Sequence, residues 1–445
     1  MTKKVFSFTD FALSEGDRCA LKQPLDATMV ATESKNCRCV KGALKRCLGL
    51  EYIYDYDGKK LYAEPIAQKI KLMYYDDTTT YDRHYMGAMI ADDGYLYGYS
   101  ESLRAFERMD KMPGRESALC PLPFENGQKD FYLASKATLH RINNCISSQA
   151  AIKNRNHYAL CVFHDRVFFS SNRGVRYSDA GDFDNFSSSA YGGGKIDIWE
   201  GEGGILQLVV YQDTILLFKR NTVLRFYAAG AADEFRVEPM DYRGSRIVRN
   251  SAARCGRYVL FLTEGGEIYR LDGNRFEKLT EGVPTDFCFD NVNAAADGER
   301  YFLSDEKKVL VVEAEDGSKH YSYQVYGLTD NDGTVVVEKD HYICRMVEKG
   351  FLPRDATAQF VAKNVAVKDE KEKLVRKLIL YGSGGVELSF GAGRYEMKML
   401  VPLSEQGVEV PAGVKGKTFD FSIVFKGYAN VRKIDVEYNE LGGEK

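Results

Sequence analysis

From about residue 90 to residue 350, apolar runs of four to six residues each meet a short polar turn and are answered by a second apolar run. The turns stand at "ADDGYLYGYS" (Asp93), "GQKDFYLAS" (Asp130), "VFHDRVFFSS" (Asp165), "VVYQDTILLFK" (Asp213), "RCGRYVLFLT" (Gly256), "AADGERYFLS" (Gly298) and "VEKDHYICRM" (Asp340). By subtraction the gaps are 37, 35, 48, 43, 42 and 42 residues. A repeat of roughly 40 residues made of short strands predicts propeller blades, because one four-stranded blade cannot bury both its faces and must stack on its neighbours. "YVLFLTEGGEIYRLDGNRFEKL" fits this reading: Glu-Gly-Gly and Asp-Gly-Asn supply the positive φ that tight hairpins require. A helical period of 3.6 occurs nowhere at length; the best candidate is "SESLRAFERM". The predicted fold is all-β, a propeller of about six to seven blades over 76–352.

Beyond "LPRDATAQF" and the charge run "KDEKEK" the pattern changes. Phe419, Phe421, Ile423 and Phe425 alternate with polar residues, then Ile434, Val436 and Tyr438 do the same, with Gly427 between the two sets. Period two predicts a separate C-terminal antiparallel β-sandwich over 353–445. Residues 1–75 form an N-terminal segment that is expected to join the propeller in part.

Composition alters this picture little. The chain has 445 residues, 44% of them hydrophobic, with Gly 40, Tyr 29 and Phe 25, which suits β structure rich in turns. A formal charge of -3 gives no general electrostatic reason to bind nucleic acid or an anionic membrane. Residues 1–50 alone lean basic, with nine Lys/Arg against five Asp/Glu. The start "MTKKVFSFTDFALSEGD" has no apolar core of a signal peptide, and no window approaches ~18 apolar residues, so neither export nor membrane insertion is expected. Several of the ten cysteines sit inside apolar strands, as in "YALCVF" and "HYICRMV", which predicts reduced, buried thiols. Cys37, Cys39 and Cys47 lack the paired spacing and nearby His of a zinc site.

Candidate chemistry is sparse. "RVFFSSNRGVRYSDAGDFDNFS" runs from a strand into a loop bearing Asp179, Asp182, Asp184 and Asn185, oxygens that could hold calcium. An EF-hand loop counted from Asp182 would need Gly and Glu where Ser187 and Gly193 stand, so the loop reads as a solvated connection. Gly416-Lys417-Thr418 is preceded by Pro411 where a phosphate-binding loop needs its first Gly, and a strand follows it. "GEGGILQL" lacks dinucleotide-binding spacing, six dispersed histidines form no ligand pair, and no hydrolase, zincin or kinase motif occurs. No catalytic, cofactor-binding or metal-binding residue is assigned, and no enzyme activity is expected. Trp199, the chain's one Trp, reads as core; the alternative is a carbohydrate groove.

"ILQLVVYQDTILLFKRNTVLRFY", continuing through "EPMDYRGSRIVRNSAARCGRYVLFLTEGGEIYRLDG", resembles the β-propeller of phage head-to-tail connector proteins. That family comprises packaged-DNA stabilisation, tail-hub and tail nozzle proteins of short-tailed phages. The resemblance rests on Asp213, Leu216, Phe218, Phe226, Gly244, Asn250, Ser251, Phe261, Leu262, Gly266, Tyr269 and Gly273. More weakly it takes in Asn36, Gly42, Arg46 and Gly49 at one end and "AQFVAKNVAV" at the other. It implies a virion structural protein, assembled in the host cytoplasm. In that role a homo-oligomeric ring meets portal, adaptor and other tail proteins, and closes or extends the portal channel. Double-stranded DNA is retained and then passes without sequence-specific binding. The alternative is a propeller that binds or cleaves carbohydrate.

Overall fold

The computed structural model describes residues 3–13, 27–54, 58–62, 70–76, 86–100, 105–111, 116–121, 130–135, 138–143, 147–153, 159–171, 173–187, 192–280, 287–305, 307–331 and 333–441. Seven four-stranded antiparallel sheets occur among them. Six are built from four consecutive strands each, blades 1 to 6, spanning 70–111, 116–153, 160–197, 207–239, 253–280 and 293–322. Blade 7 takes Tyr326–Asn331, Thr334–Lys339 and Tyr342–Val347, and borrows its outer strand, Gly49–Tyr52, from the N-terminal region. The first strand of each blade packs against that of the next, and blade 7 returns to blade 1, so the chain forms a closed β-propeller.

Burial explains the strand sequences. The second strand of a blade lies between two neighbouring blades and buries both faces, so it reads as an unbroken apolar run rather than an alternation. Thr214–Phe218 (TILLF) and Tyr258–Leu262 (YVLFL) are buried throughout. Alternate side chains serve opposite seams: Val259 and Phe261 pack on blade 4, whereas Tyr258, Leu260 and Leu262 pack on blade 6. Outer strands face solvent, as Arg236–Pro239 (RVEP) does. "SESLRAFERM", the best helical candidate in the sequence, is strand where it is described: Ala105–Lys111 is the outer strand of blade 1, paired with Tyr95–Ser100. Its buried Phe106 stacks edge-on against Tyr99, and such cross-strand packing overrides local helix propensity.

The C-terminal strands make one hydrogen-bonded sheet of nine strands, not a free-standing sandwich of the residues after 353. Two long strands, Lys373–Ala392 and Thr418–Glu440, run through it side by side. Their register shifts at 381/382 and 383/385, where Gly384 has φ +85° and an added Cβ would lie 2.3 Å from the Tyr428 carbonyl oxygen. The sheet folds on itself there, bringing Phe8 edge-on to Phe421 at 6.0 Å. Four strands come from the N-terminal region: Lys4–Phe8, Glu33–Lys35, Cys37–Val40 and Ala43–Arg46. That region therefore serves both units, and buried Arg38 ties them, pairing with Glu313 (3.4 Å) and Glu348 (2.5 Å) of the propeller.

Candidate functional site

Of the residues that carry the resemblance, Asp213, Phe218, Phe261, Gly266, Tyr269 and Gly273 fall in blades 4 and 5, and Gly244 falls in the connection between them. Phe218 and Phe261 are fully buried and meet edge-on at 5.3 Å across the seam, and Tyr269 stacks on Phe261 at 5.7 Å. Tyr242 and Phe276, which the sequence reading did not single out, complete the aromatic cluster. Gly273, at φ +60°, closes the last hairpin of blade 5; its N–H donates to the Tyr211 hydroxyl and its carbonyl accepts from Arg225, stitching the same seam. At the opposite end Gly266 (φ +79°) turns the "TEGGE" hairpin, and Gly244 lies against the Tyr242 ring, where a Cβ would sit 2.4 Å from the hydroxyl. Burial, and secondarily the Tyr269 and Glu267 charges, push the Tyr242 hydroxyl above its ordinary range. Asp213 stands exposed in the first turn of blade 4, with its carboxylate 3.6 Å from His164 of blade 3. Phe218, Phe261, Tyr269 and Gly273 thus hold blades 4 and 5 together.

The Asp-rich loop is the connection between the third and fourth strands of blade 3, and it clamps blade 3 to blade 2. The Tyr132 hydroxyl of blade 2 donates to the Asp184 carboxylate (2.7 Å) and the Phe183 carbonyl (2.9 Å). Arg141 of blade 2 pairs with the other Asp184 oxygen. Phe183 is buried at the seam and Phe186 packs edge-on against Phe169 at 5.2 Å. Burial, with the Asp184 hydrogen bond and charge, raises the Tyr132 hydroxyl far above its ordinary range. The expectation of a merely solvated loop is corrected for Asp184, Phe183 and Phe186, whose partners come from a blade remote in sequence. It holds for Asp182, which is exposed and accepts from the Asp184 N–H in an Asx turn. Among the described residues no three carboxylate, imidazole or thiol groups gather as a metal set.

Strand alternation puts the turns between first and second strands, and between third and fourth, on one face of the disc. In blades 3 to 6 that face carries Asp165, Asp179, Asp182, Asp184, Asp213, Asp233, Glu234, Asp297, Glu299, Glu315 and Asp316, against Arg257 as the one Lys or Arg in those turns. The other face is mixed. There Arg220 lies within 4.0 Å of Glu202 and 3.6 Å of Glu264, and Arg246 lies 3.6 Å from Glu202.

Trp199 is on this mixed face and is 70% exposed, which corrects its reading as core. It stands where blade 3 hands over to blade 4, after the outer strand, so neither neighbour covers its ring. The Arg173 guanidinium lies 5.3 Å from the ring centre. The Gly/Glu loop that follows is anchored by Lys219, which donates to the Glu200 carbonyl (2.5 Å), and by Asn221, which accepts from the Glu202 N–H (2.7 Å).

No protein-family model and no curated protein sequence matches the chain. Solved structures do match it, at low identity. One is the extracellular domain of a B. thetaiotaomicron protein described as a one-component system, at 10% identity and TM-score 0.45, over 82% of this chain and 47% of that one. The chain thus spans about half the length of that relative. The β-propeller domain of Cps50 (Swd1) from Myceliophteria thermophila matches at 8% identity and TM-score 0.46, over 67% of this chain and 99% of the domain. Raptor from Chaetomium thermophilum matches at 14% identity and TM-score 0.47, over 69% of this chain and 29% of Raptor. These are likenesses of fold alone.

Proposed function

We propose that this chain is a structural subunit of the head-to-tail connector or tail hub of a short-tailed phage, working in a homomeric ring that closes or extends the portal channel. The resemblance in blades 4 and 5 is the origin of the reading, and the acid-rich face is the observation that supports it best. Packaged DNA must be held back and later move freely. A surface of fixed carboxylates repels phosphate, whereas a track of Lys and Arg would make DNA stick. In this reading DNA meets the ring without sequence-specific contacts, and the mixed face docks against portal, adaptor or further tail proteins. The test is light scattering, with negative-stain imaging, of the purified protein mixed with its cognate portal complex. A ring templated on the portal is the expected result; no association at micromolar concentration sinks the proposal.

One observation favours the alternative, carbohydrate binding. Trp199 presents an exposed indole with the Arg173 guanidinium near its ring and Glu200 next to it in the chain, a combination able to stack on a sugar ring and hydrogen-bond its hydroxyls. As the chain contains one Trp, its emission reports on this site without interference. A saturable change in intrinsic fluorescence on titration with glycans, together with calorimetric glycan binding that Trp199→Ala abolishes while its melting temperature is kept, would select this reading over the connector.

A further inference from the structure

The strand Tyr395–Leu403 ends the nine-stranded sheet: it pairs with Lys373–Ala392 on one side, and no strand pairs with its other edge among the described residues. Nine residue pairs run from Gly384↔Leu403 to Ala392↔Tyr395 without a register shift. The edge is long, with Tyr395 79%, Met399 41% and Leu400 65% exposed and the exposed Glu396 and Lys398 set between them. Folded proteins normally blunt such an edge, since its free N–H and C=O groups template another strand.

The sequence of the strand says which strand fits. Pro402 has no N–H to give the partner strand, so the even-numbered positions are those whose backbone groups face away from it. Glu396, Lys398 and Leu400 therefore offer free backbone groups, and their side chains lie on the outer face. Tyr395, Met397 and Met399 share the inner face, where Met397 packs on the core. We propose that this edge pairs with the same edge of a second copy, antiparallel, about a twofold axis through Met397. In that register Glu396 of each copy lies opposite Lys398 of the other, and Tyr395 opposite Met399. Two charge pairs and two aromatic–thioether pairs form at once, and the sheet runs on through the dimer. The three neighbouring twofold registers are poorer. An axis at Lys398 or Glu396 sets like charges face to face, and an axis at Met399 sets Glu396 against Pro402. Among the described residues Glu396 makes no ion pair in the monomer. Lys398 pairs with Glu387 (2.7 Å), which Lys426 also reaches (3.2 Å), so Lys398 can turn outward without stranding Glu387. The contact is isologous, distinct from the head-to-tail contacts of a ring, and does not depend on the function proposed above.

Sedimentation velocity of the full chain over a concentration series is the test. The wild type should dimerise, and Glu396→Lys and Lys398→Glu should each weaken the dimer about tenfold or more through like-charge contacts. An equimolar mixture of the two variants should restore it, because one copy then presents two ammonium groups on this edge and the other presents two carboxylates opposite them. Leu400→Lys, an exposed change that leaves the fold intact, should also dissociate the dimer, because it faces Arg394 of the second copy. Thermal melting of each variant confirms folding. A wild type that stays monomeric throughout, a mixture no tighter than its components, or an unaffected Leu400→Lys would each overturn the proposal.

Discussion

Replacing Asp184 and Asp182 separately by alanine divides the Asp-rich loop into a part that holds two blades and a part that does not. Asp184→Ala removes a charge-assisted hydrogen bond from the Tyr132 hydroxyl and the Arg141 ion pair. Tyr132 keeps the Phe183 carbonyl as acceptor, so no buried hydroxyl is orphaned and the full penalty of an unsatisfied group is avoided. The Asp184 side chain is 56% exposed, so solvent screening leaves the ion pair with under ~1 kcal/mol. With about 1 kcal/mol for the hydrogen bond, the total is roughly 1–2 kcal/mol. Asp182→Ala breaks a solvent-exposed turn bond and should cost under ~0.5 kcal/mol. Phe183→Ala, which empties a buried ring position at the seam, should cost about 3–5 kcal/mol. Denaturant unfolding at fixed temperature measures all three, each with calcium and with chelator. Equal effects of Asp184→Ala and Asp182→Ala would refute the clamp. Calcium stabilisation of the wild type, abolished by Asp182→Ala, would show that the loop is a metal site.

Gly266→Val should cost about 1–3 kcal/mol, since a β-branched residue resists the left-handed turn at φ +79°, and Gly266→Asn should cost less; denaturant midpoints give the order. Phe261→Ala should cost about 3–5 kcal/mol and speed proteolysis within blades 4 and 5, because the ring fills the seam between them. Burial pushes the thiols of Cys255 and Cys344 up to about 12 and that of Cys47 up to about 11, so native alkylation at pH 8 should spare them and label the half-exposed Cys39 and Cys288. Mass mapping should also find the seven described cysteines unbridged. Burial raises the Glu348 carboxyl, but the Arg38 hydrogen bond and charge outweigh it and leave Glu348 below the ordinary 4.5. Its stabilising contribution is present above that value and is lost as pH falls through the lower folded value, so Glu348→Gln should flatten this part of the acid limb of a stability–pH curve.

Much of the propeller could be read along the chain, because each blade is a local unit whose turns need particular residues. Asp93, Asp130, Asp165, Asp213, Gly256, Gly298 and Asp340 each fall in a different one of the seven sheets. Their spacing wavers because they mark different places. Asp165, Asp213, Gly256 and Gly298 lie in the first turn of a blade, Asp130 opens a second strand, and Asp93 and Asp340 lie in the second turn. The apolar runs "TILLF" and "YVLFL" marked strands, which the stacked blades bury on both faces, and the alternation of Phe419 to Phe425 marked a strand that buries one face.

What only the tertiary structure decided depends on contacts between segments far apart in sequence. Nothing in "GLEY" says that Gly49–Tyr52 closes a blade begun at Tyr326, because a strand's partner is chosen by the free edge it meets in space. Nor does any local pattern send Lys4–Phe8 to the strand ending at Glu440, which made one folded sheet where a separate sandwich had been expected. Trp199 is apolar and follows a strand, yet it is exposed because it stands at a hand-over between blades, where no neighbour is stacked. Asp184 looked like Asp182 in sequence, and the difference lies in Tyr132 and Arg141, about fifty and forty residues earlier, which the ring brings to one of them alone. Turn chemistry and hydrophobic period are properties of a few adjacent residues and so are written locally, whereas the burial of a side chain and the worth of a charge depend on what the folded ring places beside them.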